Sequence, residues 1–151
     1  MDFKIIKAEE KHIEEIGILF DLYRQFYKYK GDAKKSTEFI SKRIINKEST
    51  IFVCIQNNKL LGFTQLYETF DSLNLNKKII LYDLYVLIDY RQTGIARSLM
   101  NKAKEFAENN NYGLIELSTA ITNTKAQSLY ESLNYKKDTE FISYYLETNK
   151  N

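Results

Sequence analysis

One stretch constrains the fold more than any other. IILYDLYVLI, residues 79–88, is apolar at almost every position and runs into DYRQTGIARSLM, residues 89–100. A run without polar alternation reads as a strand covered on both faces, which places it at the centre of a sheet. Asp83 is the one charge within it. Beyond the loop, Ile95, Leu99, Ala103 and Phe106 recur at helical steps, so a helix extends to about Asn109. The pattern is strand, short loop, helix, with Gly94 at the turn.

The flanking sequence supplies the partners such a strand needs. FKII, residues 3–6, opens as a short strand. Ile13, Ile16, Phe20, Tyr23 and Tyr27 form one helical stripe between Glu9 and Tyr29. Ser36 or Thr37 can cap a second helix that carries Phe39, Ile40 and Ile44. TIFVCI and LLGFTQLY, joined by QNNK, read as a hairpin, and the polar residues 71–78 as a loop. After the third helix come the strand LIELST, a helix capped by Asn123 with Ala126, Leu129, Tyr130 and Leu133 inward, and a last strand, FISYYLE, at 141–147. The order is β-α-α-β-β-β-α-β-α-β, with room for one strand more. That is an α/β (α+β) chain with a mixed sheet and helices on both faces. No Gly/Ser linker or repeat interrupts residues 1–151, which read as a single domain.

Composition narrows the function. The chain has 22 basic and 20 acidic residues, a net charge of +2, and so no global electrostatic case for nucleic acid. The single cysteine, Cys54, rules out an intrachain disulfide and a multi-cysteine metal site, and its apolar setting reads as a buried, inert thiol. No metal-ligand or Ser/His/Asp constellation is present. No apolar run reaches the roughly 20 residues of a membrane span. The charged N-terminus lacks a signal peptide's apolar stretch, so a cytoplasmic protein is the expectation. With 12 Tyr and 9 Phe and no Trp or Pro, large rings must fill much of the core, and phenols are expected at any site.

The loop after the apolar strand suits an anion. The first amides of a helix lack intrahelical partners and share the positive end of its dipole. Gly94 and Ala96 keep the surface low, and Arg91 and Arg97 add forked donors. The motif is neither GxxxxGK[ST] nor GxGxxG after a first strand, which argues against nucleoside triphosphate and dinucleotide folds. Taken alone, it equally describes a helix start at which glycine merely turns the chain.

Two further stretches give the loop a context. Asp83 to Val86 followed by Asp89 to Ala96 resembles the central strand and acetyl-CoA loop of the GCN5-related N-acetyltransferases (GNAT family), whose Arg/Gln-x-x-Gly-x-Gly/Ala pattern is met at Arg91, Gly94 and Ala96. NTKAQSLYESLNY, 123–135, resembles the second signature of that family. LYDLYV followed by DYR is similar to its small-amine branch of diamine and polyamine acetyltransferases. Gln92, where many members have Gly, Ala96 for a final Gly, and Ile88 where Pro is frequent are departures that remove no donor.

The resemblance implies transfer of acetyl from acetyl-CoA to a primary amine by direct attack, without a metal. It assigns the diphosphate to the amides of Gln92, Thr93, Gly94, Ile95, Ala96 and Arg97 beside Arg91. It assigns the pantetheine and thioester to main-chain groups of Leu84, Tyr85 and Val86, and the cofactor arm to Asn123 and Ala126. Tyr130 becomes the general acid that protonates the leaving thiolate. Its spacing with Ala126 and Leu133 also fits a core residue. Asp83 becomes the candidate to bind the ammonium or take its proton, and it too has a structural alternative as a bonded core carboxylate. Tyr27 and Glu68 are candidate acceptor contacts, and Tyr23 and Tyr67 further candidate ring walls; for each of the three tyrosines core packing is the alternative. Arg24 reads as a solvated helix charge and His12 as a surface residue. A protein N-terminal or lysine acetyltransferase, and a non-catalytic acyl-CoA sensor, are the alternatives, and a homodimer is expected from family habit.

Overall fold

The structure, a computed structural model, describes residues 2–149. The chain divides into two compact units, Met1–Ser118 and Thr119–Asn151. The first contains β1 (Lys4–Lys7), α1 (Ile13–Phe26), α2 (Ala33–Ile45), β2 (Thr50–Gln56), β3 (Lys59–Asp71), β4 (Asn76–Val86), α3 (Ile95–Asn109) and β5 (Leu114–Glu116). The second contains α4 (Thr124–Ser132).

The five strands form one mixed sheet in chain order. β1 to β4 are antiparallel neighbours and β5 joins β4 in parallel. Asn57 and Asn58 turn the β2–β3 hairpin with φ of 49° and 58°, and the closing pair is Gln56 and Lys59. Two successive positive φ values make the two-residue turn whose twist suits a hairpin, and Asn tolerates them better than most residues. On one face of the sheet Ile16, Leu19 and Phe20 of α1 and Ile40 of α2 pack with Ile51, Val53, Leu60 and Phe63. On the other face α3 buries Leu99, Met100 and Ala103, and its Phe106 meets the Phe52 ring edge-on at 5.7 Å.

Several expectations need correction. β3, not β4, is the middle strand, and it is β3 that is buried at every position from Leu60 to Leu66. The stretch 71–78 is mostly strand: β3 runs to Asp71 and β4 starts at Asn76, so only the turn at 72–75 is loop. Asp32 caps α2 by accepting the Lys35 amide at 3.1 Å, whereas Ser36 lies buried inside the helix and donates to Asp21 at 2.8 Å. His12 is buried, its Nδ1 accepting the Glu9 amide at 3.0 Å in the turn that opens α1. FISYYLE forms no strand, and its Phe141, Ile142, Tyr144, Tyr145 and Leu146 are 68–91% exposed. The second unit has no strand among its described residues, and without a ladder to join, aromatic and β-branched composition does not make one.

Candidate active site

The loop between β4 and α3 is built by local rules. A single turn at Ile88–Tyr90 leads to Arg91; Gln92 then takes φ 61° and Gly94 φ 88°. The Thr93 hydroxyl donates to the Tyr90 carbonyl at 2.6 Å. The helical ladder begins with the Ser98 amide on the Gly94 carbonyl at 3.0 Å. Among the described residues no protein acceptor takes the amides of Gln92, Thr93, Gly94, Ile95 or Ala96. A Cβ placed on Gly94 would meet nothing within 4 Å. The loop therefore offers successive donors at a helix start, over open space. Arg91 turns back toward the protein: its Nε donates to the Val86 carbonyl at 2.9 Å, and its guanidinium lies 5.5 Å from the Phe26 ring and 5.3 Å from the Tyr85 ring.

β4 reaches this loop with one edge largely unpaired. β5 pairs with Lys78–Ile80, so among the described residues the strand from Leu81 to Val86 is laddered on its β3 side alone. The Leu87 amide donates to Leu61 of β3 at 2.9 Å. By the two-residue alternation of an antiparallel pair, the main-chain groups of Tyr85 and Asp83 also face β3, while those of Leu84 and Val86 face the unpaired edge. Of the three main-chain positions expected to meet a thioester, those of Leu84 and Val86 lie on that edge and that of Tyr85 does not. Tyr85 instead offers its ring to Arg91.

A bulge interrupts β4 at its middle. Gln65 pairs with Asp83 and Leu66 with Leu81, which leaves Tyr82 extra. Asp83 is 4% exposed and accepts Gln65 Nε2 at 2.7 Å, with the Tyr23 phenol beside it. The Gln65 amide is held in turn by the Ser49 hydroxyl, which donates to its oxygen at 2.7 Å. Burial raises the Asp83 carboxyl above the usual range, against the pull of Gln65 and of the nearby Tyr23 hydroxyl. The Tyr23 hydroxyl donates to the Tyr82 carbonyl at 3.2 Å, and burial together with the Asp83 charge pushes its phenol up. Tyr67, edge-on to Tyr82 at 5.7 Å, is pushed up to about 12, chiefly by burial. Tyr27 stands edge-on to Tyr23 at 5.2 Å. One carboxylate thus sits among phenols on the face that carries α1.

Glu68 is not part of that cluster. It lies on the α3 face, bonded to the Tyr112 hydroxyl and 3.9 Å from Lys77 Nζ, with the sheet between it and Asp83. Arg24 is tied into the α1–α2 turn, 3.6 Å from Asp21 and donating to the Lys30 carbonyl at 3.4 Å, rather than simply solvated. Asp21 went unsingled in the sequence. It is 6% exposed and accepts the Asp32 amide at 2.8 Å, the Ser36 hydroxyl and Gln25 Nε2 at 2.9 Å. Burial alone would raise its carboxyl, but those bonds and Arg24 together lower it. An acid at an inward position of a helix stripe is the signal that could have found it.

In the second unit Asn123 caps α4, its oxygen accepting the Ala126 amide at 3.3 Å. Gln127 Nε2 donates to the Ala120 and Ile121 carbonyls at 3.2 and 2.9 Å, which folds the approach to the helix back upon it. Tyr130 lies on α4, its ring 6.1 Å from that of Tyr135. Among the described residues no group of three or more His, Cys, Asp or Glu could hold a metal ion, and no helix is long and apolar enough to cross a membrane.

Residues 16–135 match the Acetyltransferase (GNAT) family. The chain is 37% identical over 142 residues to the uncharacterized N-acetyltransferase YhfO of Bacillus subtilis, covering 94% of this chain and 95% of that one. It is 25% identical to a thialysine N-epsilon-acetyltransferase of Caenorhabditis elegans, over 89% of this chain and 83% of that one. A crystal structure of a probable acetyltransferase superposes with a TM-score of 0.92 at 35% identity, covering 98% of this chain and 99% of the other. The chain belongs to the GNAT family of acetyltransferases, enzymes that use acetyl-CoA.

Proposed function

We propose that this acetyl-CoA-dependent N-acetyltransferase acts on the primary amine of a small molecule, with diamines and polyamines as the nearest chemical class. The observation that carries the reading is the set of amides from Gln92 to Ala96 that no protein acceptor takes, set over the open side of Gly94. Such a cradle suits a diphosphate. Leu84 and Val86 present main-chain groups along the unpaired edge of the strand that leads into it. An amide there stabilises the oxyanion that forms when the amine nitrogen attacks the thioester carbonyl. The ammonium first loses a proton to water, so that the free amine attacks; as the C–S bond breaks, Tyr130 gives its phenolic proton to the departing thiolate, and the proton leaving the new amide nitrogen restores the phenol through solvent.

Asp83, Tyr23 and Tyr27 form the acceptor side of this reading. A buried carboxylate ringed by phenols attracts an ammonium, and the rings add cation-π contact. Glu68, across the sheet, is given no acceptor role. The likeness to an acetyltransferase named for thialysine supports a small amine.

The test is release of the coenzyme thiol from acetyl-CoA, followed with diamines, polyamines, amino acids and peptides with free N-termini. Turnover with a small amine well above every peptide is the expected result. Turnover on peptides alone would overturn the small-amine assignment. Binding of acetyl-CoA without release for any acceptor would overturn catalysis.

A further inference from the structure

We infer that Arg91 is a positioning residue: its side chain clamps the loop at 92–97 to β4 and α1, with Phe26 as its outer anchor, and does not serve chiefly as a charge for phosphate. The inference rests on the reading of that loop as the diphosphate site. Arg91 is the last residue before the backbone enters the positive-φ turn at Gln92. Its Nε is committed to the Val86 carbonyl at 2.9 Å, and Val86 is where β4 ends. Its guanidinium lies between two rings, 5.3 Å from Tyr85 of β4 and 5.5 Å from Phe26, the final residue of α1. Three elements therefore meet on one side chain at the point from which the loop departs. Planarity and a donor at Nε are what this arrangement uses, and lysine has neither. Phe26 is 49% exposed, so its ring contributes little to the core; it meets Tyr27 edge-on at 5.1 Å and the Arg91 guanidinium at 5.5 Å.

The consequence is unusual for a coenzyme site: coenzyme affinity depends on a ring in the first helix, outside the loop. If the clamp loosens, the successive amides of 92–97 lose their common aim. Binding then weakens even though no group touching the coenzyme has been removed.

The experiment is calorimetric titration of CoA into the wild type, Arg91→Lys, Arg91→Gln, Phe26→Ala, Phe26→Tyr, the double variant R91K/F26A and Gly94→Trp, at low and high salt, with a thermal melt of each. The expected result is that Arg91→Lys and Phe26→Ala each weaken CoA roughly tenfold, the scale of a lost charge-assisted bond or ring contact. Phe26→Tyr, which keeps the ring, stays within about twofold. The double variant is no weaker than the weaker single, because both changes open one clamp. Arg91→Lys keeps the salt dependence of the wild type, since no phosphate ion pair is lost. Wild-type affinity in both Arg91→Lys and Phe26→Ala would overturn the clamp. So would full rescue by lysine with a flattened salt dependence in Arg91→Gln, the signature of a phosphate charge. If the wild type binds no CoA, or Gly94→Trp binds it as well as the wild type, the loop reading itself falls and the clamp with it. These two failures are read from different proteins.

Discussion

Gly94 is where fold and coenzyme make separable demands, so a pair of substitutions there tests the reading most directly. The residue has φ 88° and ψ 0°, a region where an L side chain costs about 1–2 kcal/mol. A Cβ at this position meets nothing within 4 Å, so strain is the whole penalty. In a chain of 151 residues that strain lowers Tm by roughly 2–8 °C. Gly94→Ala and Gly94→Trp share the strain and should melt within a few degrees of each other. They differ in what they do to the open side of the loop. Alanine adds one methyl group, whereas tryptophan fills the volume above the unpartnered amides. CoA at about 100 times its Kd adds about 2.7 kcal/mol to the stability of a protein that binds it. The assay is therefore thermal melting with and without CoA. The wild type should gain several degrees, Gly94→Ala a smaller amount, and Gly94→Trp none. A tryptophan variant that melts like the alanine variant yet keeps the full CoA-dependent rise would refute the placement of the diphosphate.

Three other substitutions probe the remaining groups. Tyr130→Phe should lower kcat by roughly 10²-fold or more while acetyl-CoA affinity stays within about twofold; equal turnover in steady-state assays would remove the general-acid role. Asp83→Asn removes a buried charge and keeps an acceptor for Gln65. The folded-state carboxyl is raised, so the native state binds more protons than the unfolded chain between about pH 4 and the raised value, and stability falls as pH climbs through that window. Urea unfolding at neutral pH should find the variant no less stable than the wild type, without that fall; a loss above about 1 kcal/mol would show that the ionised form is the stabilising one. Asp21→Asn should lower neutral-pH stability by about 1.5–3 kcal/mol, the scale of hydrogen bonds to a charged group. Because the folded-state pKa of Asp21 is depressed, its contribution is complete above the unfolded value near 4 and is lost as pH falls through the folded one. The gap between wild type and variant should accordingly close in acid, and a gap that persists there would contradict the sign.

What the sequence discloses is what is decided locally. The hairpin turn at Asn57–Asn58, the Asn123 cap and the start of α3 after Gly94 each depend on residues within one or two turns, and each is where the pattern places it. Asp21 joins Asp32 and Ser36 across 11 and 15 residues, a closure that no window of helical periodicity contains. Glu68 and Tyr67 could share a cleft only if a strand ended between them, but β3 continues to Asp71 and the two-residue period sends them to opposite faces. The reading of 79–88 as the central strand fails for a related reason, although helices do cover both of its faces. Which strand takes the middle is set by pairing order, and which face each side chain takes depends on register. At Tyr82 that register changes: Leu81 pairs with Leu66 and Asp83 with Gln65, so Leu81 and Asp83 face opposite sides although they are two apart. Without the extra residue the same period would carry Asp83 to the α3 face, away from Tyr23. The run looks apolar throughout because it changes faces partway, and the one charge in it faces the phenols of α1 only because Tyr82 is left out of the ladder.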